Sequence, residues 1–316
     1  MRRTSRLALP AALSVAAVLA GSCSTSDSGS PVSGGAVGGA GKIGILASFY
    51  PLQWMAEGVG GDLVSVSNLT KPGSEPHDLE LTPTDVAALS DIDVIVYLSG
   101  FQPAVDDAVG GSDATAFDAA DAASLDLTYT PIEEGEKNEA EAGDTDPHFW
   151  LDPTRLARVT ESFAATMAVE DPDNAATYRE NATDVVATLD DLDAELESGL
   201  GDCENKNLVT SHNAFGYFAQ RYGMKQVGIT GLTPETEPSA GQLAEVTQFV
   251  DDNDVRTIYF ETLVSPDLAE TVASEAGAET AVLDPIEGLS DDSKGDDYPE
   301  VMRSNLKAVQ AGQPCA

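Results

Sequence analysis

AATYRENATDVVATLDDLDAELESGL, residues 175–200, reads as one long helix. Tyr178, Ala182, Val185, Val186, Leu189, Leu192 and Leu196 recur at helical spacing and gather close to one face, with acids filling the rest. The pattern begins near Asn174, after a break at Glu170-Asp171-Pro172-Asp173 that ends a shorter helix starting near Thr154. A helix of this length, midway along the chain, predicts a connector (173–200) holding an N-terminal lobe (42–172) and a C-terminal lobe (201–316) at fixed spacing; an ordinary surface helix is the alternative.

On either side of it, short apolar runs alternate with helical patterns. KIGILA (42–47), LVSVSNL (63–69), VIVYL (94–98) and a weaker run at 125–129 read as strands before the long helix. NLVTS (207–211), MKQVGI (224–229), RTIYFE (256–261) and TAVLD (280–284) read as strands after it. Helices are expected near 51–58, 83–90 and 103–109, two of them opening on Pro83 and Pro103, and later near 214–222, 239–252, 266–276 and 299–310. Such alternation implies an α/β fold with mostly parallel sheets flanked by helices. No repeat of sequence relates the halves, but their matching architectures predict a cleft between two lobes, with ligands bound at the carboxyl ends of strands.

Of 316 residues, 54 are acidic and 16 basic, a formal net charge of −38. Nucleic acid and anionic membrane surfaces would repel such a chain, whereas cations are drawn to it. Arg2, Arg3 and Arg6 precede an apolar run from Leu7 to Ala20, the pattern of an export signal (1–22). That run is shorter than the roughly 20 residues that span a bilayer. Ala20-Gly21-Ser22 before Cys23 resembles a bacterial lipoprotein cleavage site, which makes Cys23 the expected lipid-bearing residue, with 23–41 as a flexible Ser/Gly-rich tether. The protein is therefore expected outside the cell membrane, anchored to its outer face and monomeric. Cys203 and Cys315 remain as an even pair in an oxidising compartment, so a disulfide is expected, worth about 4 kcal/mol across so long a loop; free thiols acting as metal ligands are the alternative.

The chain has only three histidines, and each has a marked setting. His77 lies in PGSEPHDLELTPTD, His212 in LVTSHNAFGYF, and His148 in DPHFWLDP, residues 146–153, where flanking prolines stiffen the turn. All three fall at or beyond strand ends, as do Glu261 and Asp284. Three imidazoles and a carboxylate brought together across a cleft suit a tetrahedral divalent metal, above all Zn2+. Asp284, before Pro285 in a rigid turn, and Glu261, which could instead orient a histidine, compete for the carboxylate place; Glu75 is a third candidate, better suited to the outer shell.

GSEPHDLELTPTD, DPHFWLDP, TSHNAFGYFAQRYG, GLTPETEPS, FETLVSP and VLDPIEGL resemble, in order, blocks of the solute-binding lipoproteins of zinc and manganese ABC transporters. The resemblance implies two α/β lobes joined by a long rigid helix, with one divalent metal ion in the cleft. It implies His77 and His148 as ligands from the first lobe, and His212 and Asp284 from the second. Histidine rather than glutamate at position 212 goes with zinc, in keeping with imidazole's softer donor character, and Mn2+ is the alternative cargo. The implied activity is capture of the ion and delivery to the permease of an ABC transporter. Four protein ligands leave no open position for activated water, so catalysis is not expected. A zinc hydrolase with three histidines and Glu261 as general base is the alternative of another class. Family members with a histidine-rich loop before the second ligand differ from this chain, which has seven acids and one lysine over residues 133–146; that run either gathers cations or is simply solvated. Proton competition at three histidines predicts that affinity falls as pH drops below about 6.5.

Overall fold

The computed structural model describes residues 41–132 and 143–315. Cys23, the export and tether segments and most of the acidic run lie outside them. The first half contains β1 (Ile43–Ala47), α1 (Tyr50–Gly60), β2 (Val64–Asn68), α2 (Pro83–Ala88), β3 (Val94–Tyr97), α3 (Pro103–Val109), β4 (Thr115–Asp118) and α4 (Ala120–Ala123). Two consecutive helices follow, α5 (Pro153–Glu170) and α6 (Ala175–Leu200). The second half contains β5 (Asn207–Thr210), α7 (Gly216–Arg221), β6 (Lys225–Gly228), α8 (Ala240–Asp252), β7 (Thr257–Phe260), α9 (Asp267–Ala276), β8 (Glu279–Val282) and α10 (Tyr298–Gly312).

The two halves build the same object twice. Their sheets are four-stranded and parallel throughout, ordered β2-β1-β3-β4 and β6-β5-β7-β8. Each order reverses between its first and third strands, so the loops leaving those strands part and leave a crevice at their carboxyl ends. Alternation along the strands divides the core. Ile45, Ala47, Val94 and Val96 face a large cluster shared with the second half, while Leu46 and Ile95 face a small one of their own. Leu208 and Tyr259 likewise face the shared cluster, and Val209 and Ile258 a local one.

One strand differs from expectation. Residues 125–129 do not join the first sheet; the fourth strand is Thr115–Asp118, whose single buried apolar residue, Phe117, leaves little hydrophobic signal. The alternating run at 125–129 pairs locally instead. Tyr129 N donates to Asp144 O at 2.9 Å and Asp146 N to Leu127 O at 2.9 Å, an antiparallel clasp that fixes the chain just before His148.

Capping explains where the helices start. Thr82 and Asp85 form a reciprocal capping box around Pro83, and Asp152 accepts from Thr154 N at 2.9 Å at the start of α5. The break before α6 is closed by Asp171, whose Oδ2 accepts from Asn174 Nδ2 at 2.7 Å and from the Tyr178 hydroxyl at 3.0 Å. Along α6, Tyr178, Ala182, Val185, Leu189, Leu192, Leu196 and Leu200 are buried against α5, against α1 of the first half and against α10 of the second. Val186, expected on that face, is only partly buried. Asp193, an acid on the buried side, is matched by Arg221 and by the Tyr222 hydroxyl at 3.0 Å. A long helix braced against both halves, each an α/β lobe, is thus the frame of the molecule. The expected disulfide is present, joining Cys203 to Cys315 across 112 positions and tying the end of α10 back to the start of the second half.

Candidate metal centre

His148 has the stiffest support. Asp146 Oδ1 accepts from the His148 backbone N–H at 2.9 Å and from its ring Nδ1–H at 2.8 Å, which directs Nε2 away from Asp146. Asp146 is itself braced from the second half, because its carbonyl accepts from the Tyr217 hydroxyl at 3.0 Å and its carboxylate packs on Gly216, where an added Cβ would strike Oδ2. His212, two residues beyond β5, repeats the device: its Nδ1–H donates to Glu261 Oε1 at 2.6 Å, and Ser211 Oγ donates to the same oxygen at 3.2 Å. β5 and β7 meet at the switch point of the second sheet, so His212 and Glu261 leave adjacent strand ends.

His77 sits on the loop after β2. Gln102, at the start of α3, holds that loop by donating to Thr70 Oγ1 and Pro76 O, both at 3.1 Å. Glu75 accepts from the backbone N–H groups of His77 and Asp78 at 3.0 and 3.2 Å, and the His77 ring stands edge-on to Phe101.

These three loops bring the Nε2 atoms to one point. His77 and His148 Nε2 are 3.4 Å apart, and the fourth member of the group is Glu287, whose Oε1 lies 3.5, 3.2 and 3.2 Å from Nε2 of His77, His148 and His212. All four donor atoms lie within 4.8 Å of one another. His148, His212 and Glu287 are buried; His77 alone retains some exposure, beneath a cavity of about 540 Å³ walled by Asp78, Phe101, Asp144 and Leu232. Outside the cluster itself, neither Glu287 oxygen nor His212 Nε2 has a hydrogen-bond partner, although each is shut off from solvent. Buried polar atoms left this way cost about 1–3 kcal/mol each, so a group of them aimed together is built for an ion.

The electrostatics agree. Burial alone would push the Glu287 carboxyl up, but the three imidazoles around it hold it well below the usual carboxylate range. Burial would also depress all three histidines. It prevails at His77, which is lowered; at His148 the Asp146 and Glu287 carboxylates outweigh it and raise the ring, and at His212 Glu261 and Glu287 raise it well above the usual value. Glu75, half-buried and facing the Glu287 charge, is pushed up to about 9.

Asp284, expected as the fourth member, is not in the group. Its Oδ1 accepts from Ile286 N at 2.8 Å, and its Oδ2 from Ser293 Oγ at 2.8 Å and Thr262 Oγ1 at 3.3 Å, so the carboxylate is spent on its own turn. That turn points Glu287 into the cluster instead. Glu287 belongs to the same VLDPIEGL block, and an aspartate before proline is itself a turn signal whose side chain caps backbone N–H groups, which favours the later acid as the free one. Glu261 and Glu75 lie outside the group, Glu261 against the His212 ring and Glu75 on the His77 backbone N–H.

The family described as zinc-uptake complex component A, periplasmic, matches residues 45–312. The chain is 37% identical over 282 residues to the zinc-binding lipoprotein AdcA of Streptococcus pneumoniae, covering 85% of this chain and 56% of that protein, little more than half its length. It is 36% identical to the high-affinity zinc uptake system protein ZnuA of Bacillus subtilis, covering 85% of this chain and 87% of the other. The solved Zn(II)-bound ZnuA-like domain of S. pneumoniae AdcA superposes with a TM-score of 0.71 at 35% identity, covering 86% of this chain and 99% of that domain. With its parallel-sheet halves, bracing helix and histidine cluster, this chain belongs to the family of the periplasmic zinc-uptake component A.

Proposed function

We propose that the protein captures a zinc ion outside the cytoplasm and delivers it to the permease of an ABC importer, with His77, His148, His212 and Glu287 as ligands. The observation that carries this reading is the convergence of three imidazole nitrogens and one carboxylate within 4.8 Å. Three nitrogen donors and a single oxygen suit Zn2+ at tetrahedral distances, whereas Mn2+ prefers a higher share of oxygen and more ligands. Asp146 and Glu261 make two of the imidazoles better donors by accepting their Nδ1–H bonds, in the way carboxylates behind zinc histidines do. Zinc is cargo here. Four protein donors complete its shell, leaving no position for a water to be activated, so the reading is binding without catalysis.

The zinc-binding names of the relatives support the reading, and the Cys23 context supports a lipid anchor that keeps the protein, as a monomer, near its permease. Metal analysis of protein purified without added metal, followed by competitive titration of zinc against manganese, tests it. One zinc per chain, lost in His148→Ala with the fold retained, is the expected result. Stoichiometric manganese that zinc does not displace would reject zinc as the cargo.

A further inference from the structure

Resting on the metal reading above, we infer that Asp284 is a positioning residue that sets metal selectivity: it locks the turn carrying Glu287 and so fixes the fourth donor before the ion arrives. No group outside the histidine cluster hydrogen-bonds the Glu287 side chain, so the backbone sets where it is aimed. That backbone is clamped at successive residues. Asn305, on α10, accepts from Asp284 N at 2.9 Å and donates to Asp284 O at 2.7 Å. Trp150 Nε1 donates to Pro285 O at 2.8 Å, and Tyr50 N donates to Glu287 O at 3.4 Å. Between them, Asp284 Oδ1 holds Ile286 N, and Ile286, fully buried, is forced to a φ of 58°.

A β-branched residue in the left-handed region persists only where its surroundings over-determine it. Here the contact on the Ile286 N–H itself is the Asp284 side chain. Trp150 lies two residues from His148, so the same clamps tie the Glu287 carboxylate to the loop holding a ligand of the first half. With the turn locked, Glu287 presents Oε1 to three Nε2 atoms and the cage accepts a four-coordinate ion. With the turn free, the carboxylate can swing or chelate through both oxygens and water can enter, a shell that suits Mn2+ better.

Asp284→Asn keeps the Oδ1 acceptor, and the Ser293 and Thr262 hydroxyls can turn to accept from its new amide; Asp284→Ala removes the lock. Co2+ serves as the spectroscopic probe, its visible bands being intense in four-coordinate sites. Asp284→Asn is expected to bind zinc within about threefold of wild type with unchanged cobalt bands. Asp284→Ala should bind zinc about 10–100-fold more weakly, as loss of outer-shell support does, with weakened cobalt bands and a zinc-to-manganese affinity ratio lowered about tenfold or more. Ile286→Gly keeps the Asp284 contact and adopts this φ without strain, so it is expected to match wild type; the double variant Asp284→Ala/Ile286→Gly, whose unstrained backbone guards against an Asp284→Ala that does not fold, should lower the ratio as Asp284→Ala does. Unchanged bands and ratio in both Asp284→Ala and the double variant overturn the inference. So does loss of the bands in Asp284→Asn with their retention in Glu287→Gln, which would make Asp284 the donor. Equal cobalt binding by wild type and His148→Ala overturns the metal reading itself, and the inference with it.

Discussion

His148 and His212 each lean on one carboxylate, and the consequences can be measured one side chain at a time. Asp146→Ala leaves the imidazole in place but removes its Nδ1 partner, so zinc affinity should fall about 10–100-fold in a competitive titration. Gly216→Ala tests the same support from behind. Alanine favours a helix by about 1 kcal/mol over glycine, but its Cβ would strike the buried Asp146 carboxylate, and the expected net result is about tenfold weaker zinc binding with no loss of helix. Protons compete directly with the ion. Since the protonated imidazole cannot bind and His148 and His212 are raised, their competition begins above the ordinary histidine value near 6.5; affinity measured by calorimetry should already decline above that value and steepen below it. Constant affinity from pH 8 to 6 would contradict the ligand set. The histidines were legible in sequence because they are few and sit at strand ends. Glu287 was not, since choosing between two acids three residues apart requires knowing which one the turn consumes.

At the scale of elements, most of the architecture follows from local rules: alternating apolar residues at strands, proline at helix starts, and a long uninterrupted amphipathic run for α6. The exceptions have physical causes. β4 is short and nearly polar, and gains its place from ladder bonds to β3 rather than from burial, while the more apolar run at 125–129 is drawn into a clasp with residues 143–146. Sequence periodicity reports burial and says little about which partner supplies it. The bracing role of α6 predicts a large effect from one deletion. Leu196→Ala, at a fully buried site, should destabilise the fold by about 2–5 kcal/mol in denaturant titration. The same change should leave zinc stoichiometry intact, because no ligand lies on that helix.

For the molecule as a whole, the ion and the disulfide act on stability in different ways. On the proposed ligand set zinc would bind only the folded cage, so excess free ion at about a thousandfold its dissociation constant should add roughly 4 kcal/mol, seen as a rise in Tm by calorimetry. Cys203→Ser frees the 112-residue loop and should cost about 2–5 kcal/mol whether or not zinc is present. The hydrophobic cluster beneath the centre does not stop at the boundary between the halves. Trp150, Phe149, Tyr178, Phe218, Tyr259, Tyr298 and Met302 belong to one cluster, and the Tyr298 hydroxyl donates to Trp150 O at 2.5 Å. Either half made alone would therefore present a raw aromatic surface to water. Attempts to express the halves as separate products should yield aggregates, and a nick between α5 and α6 should leave two fragments that co-purify and melt in a single transition.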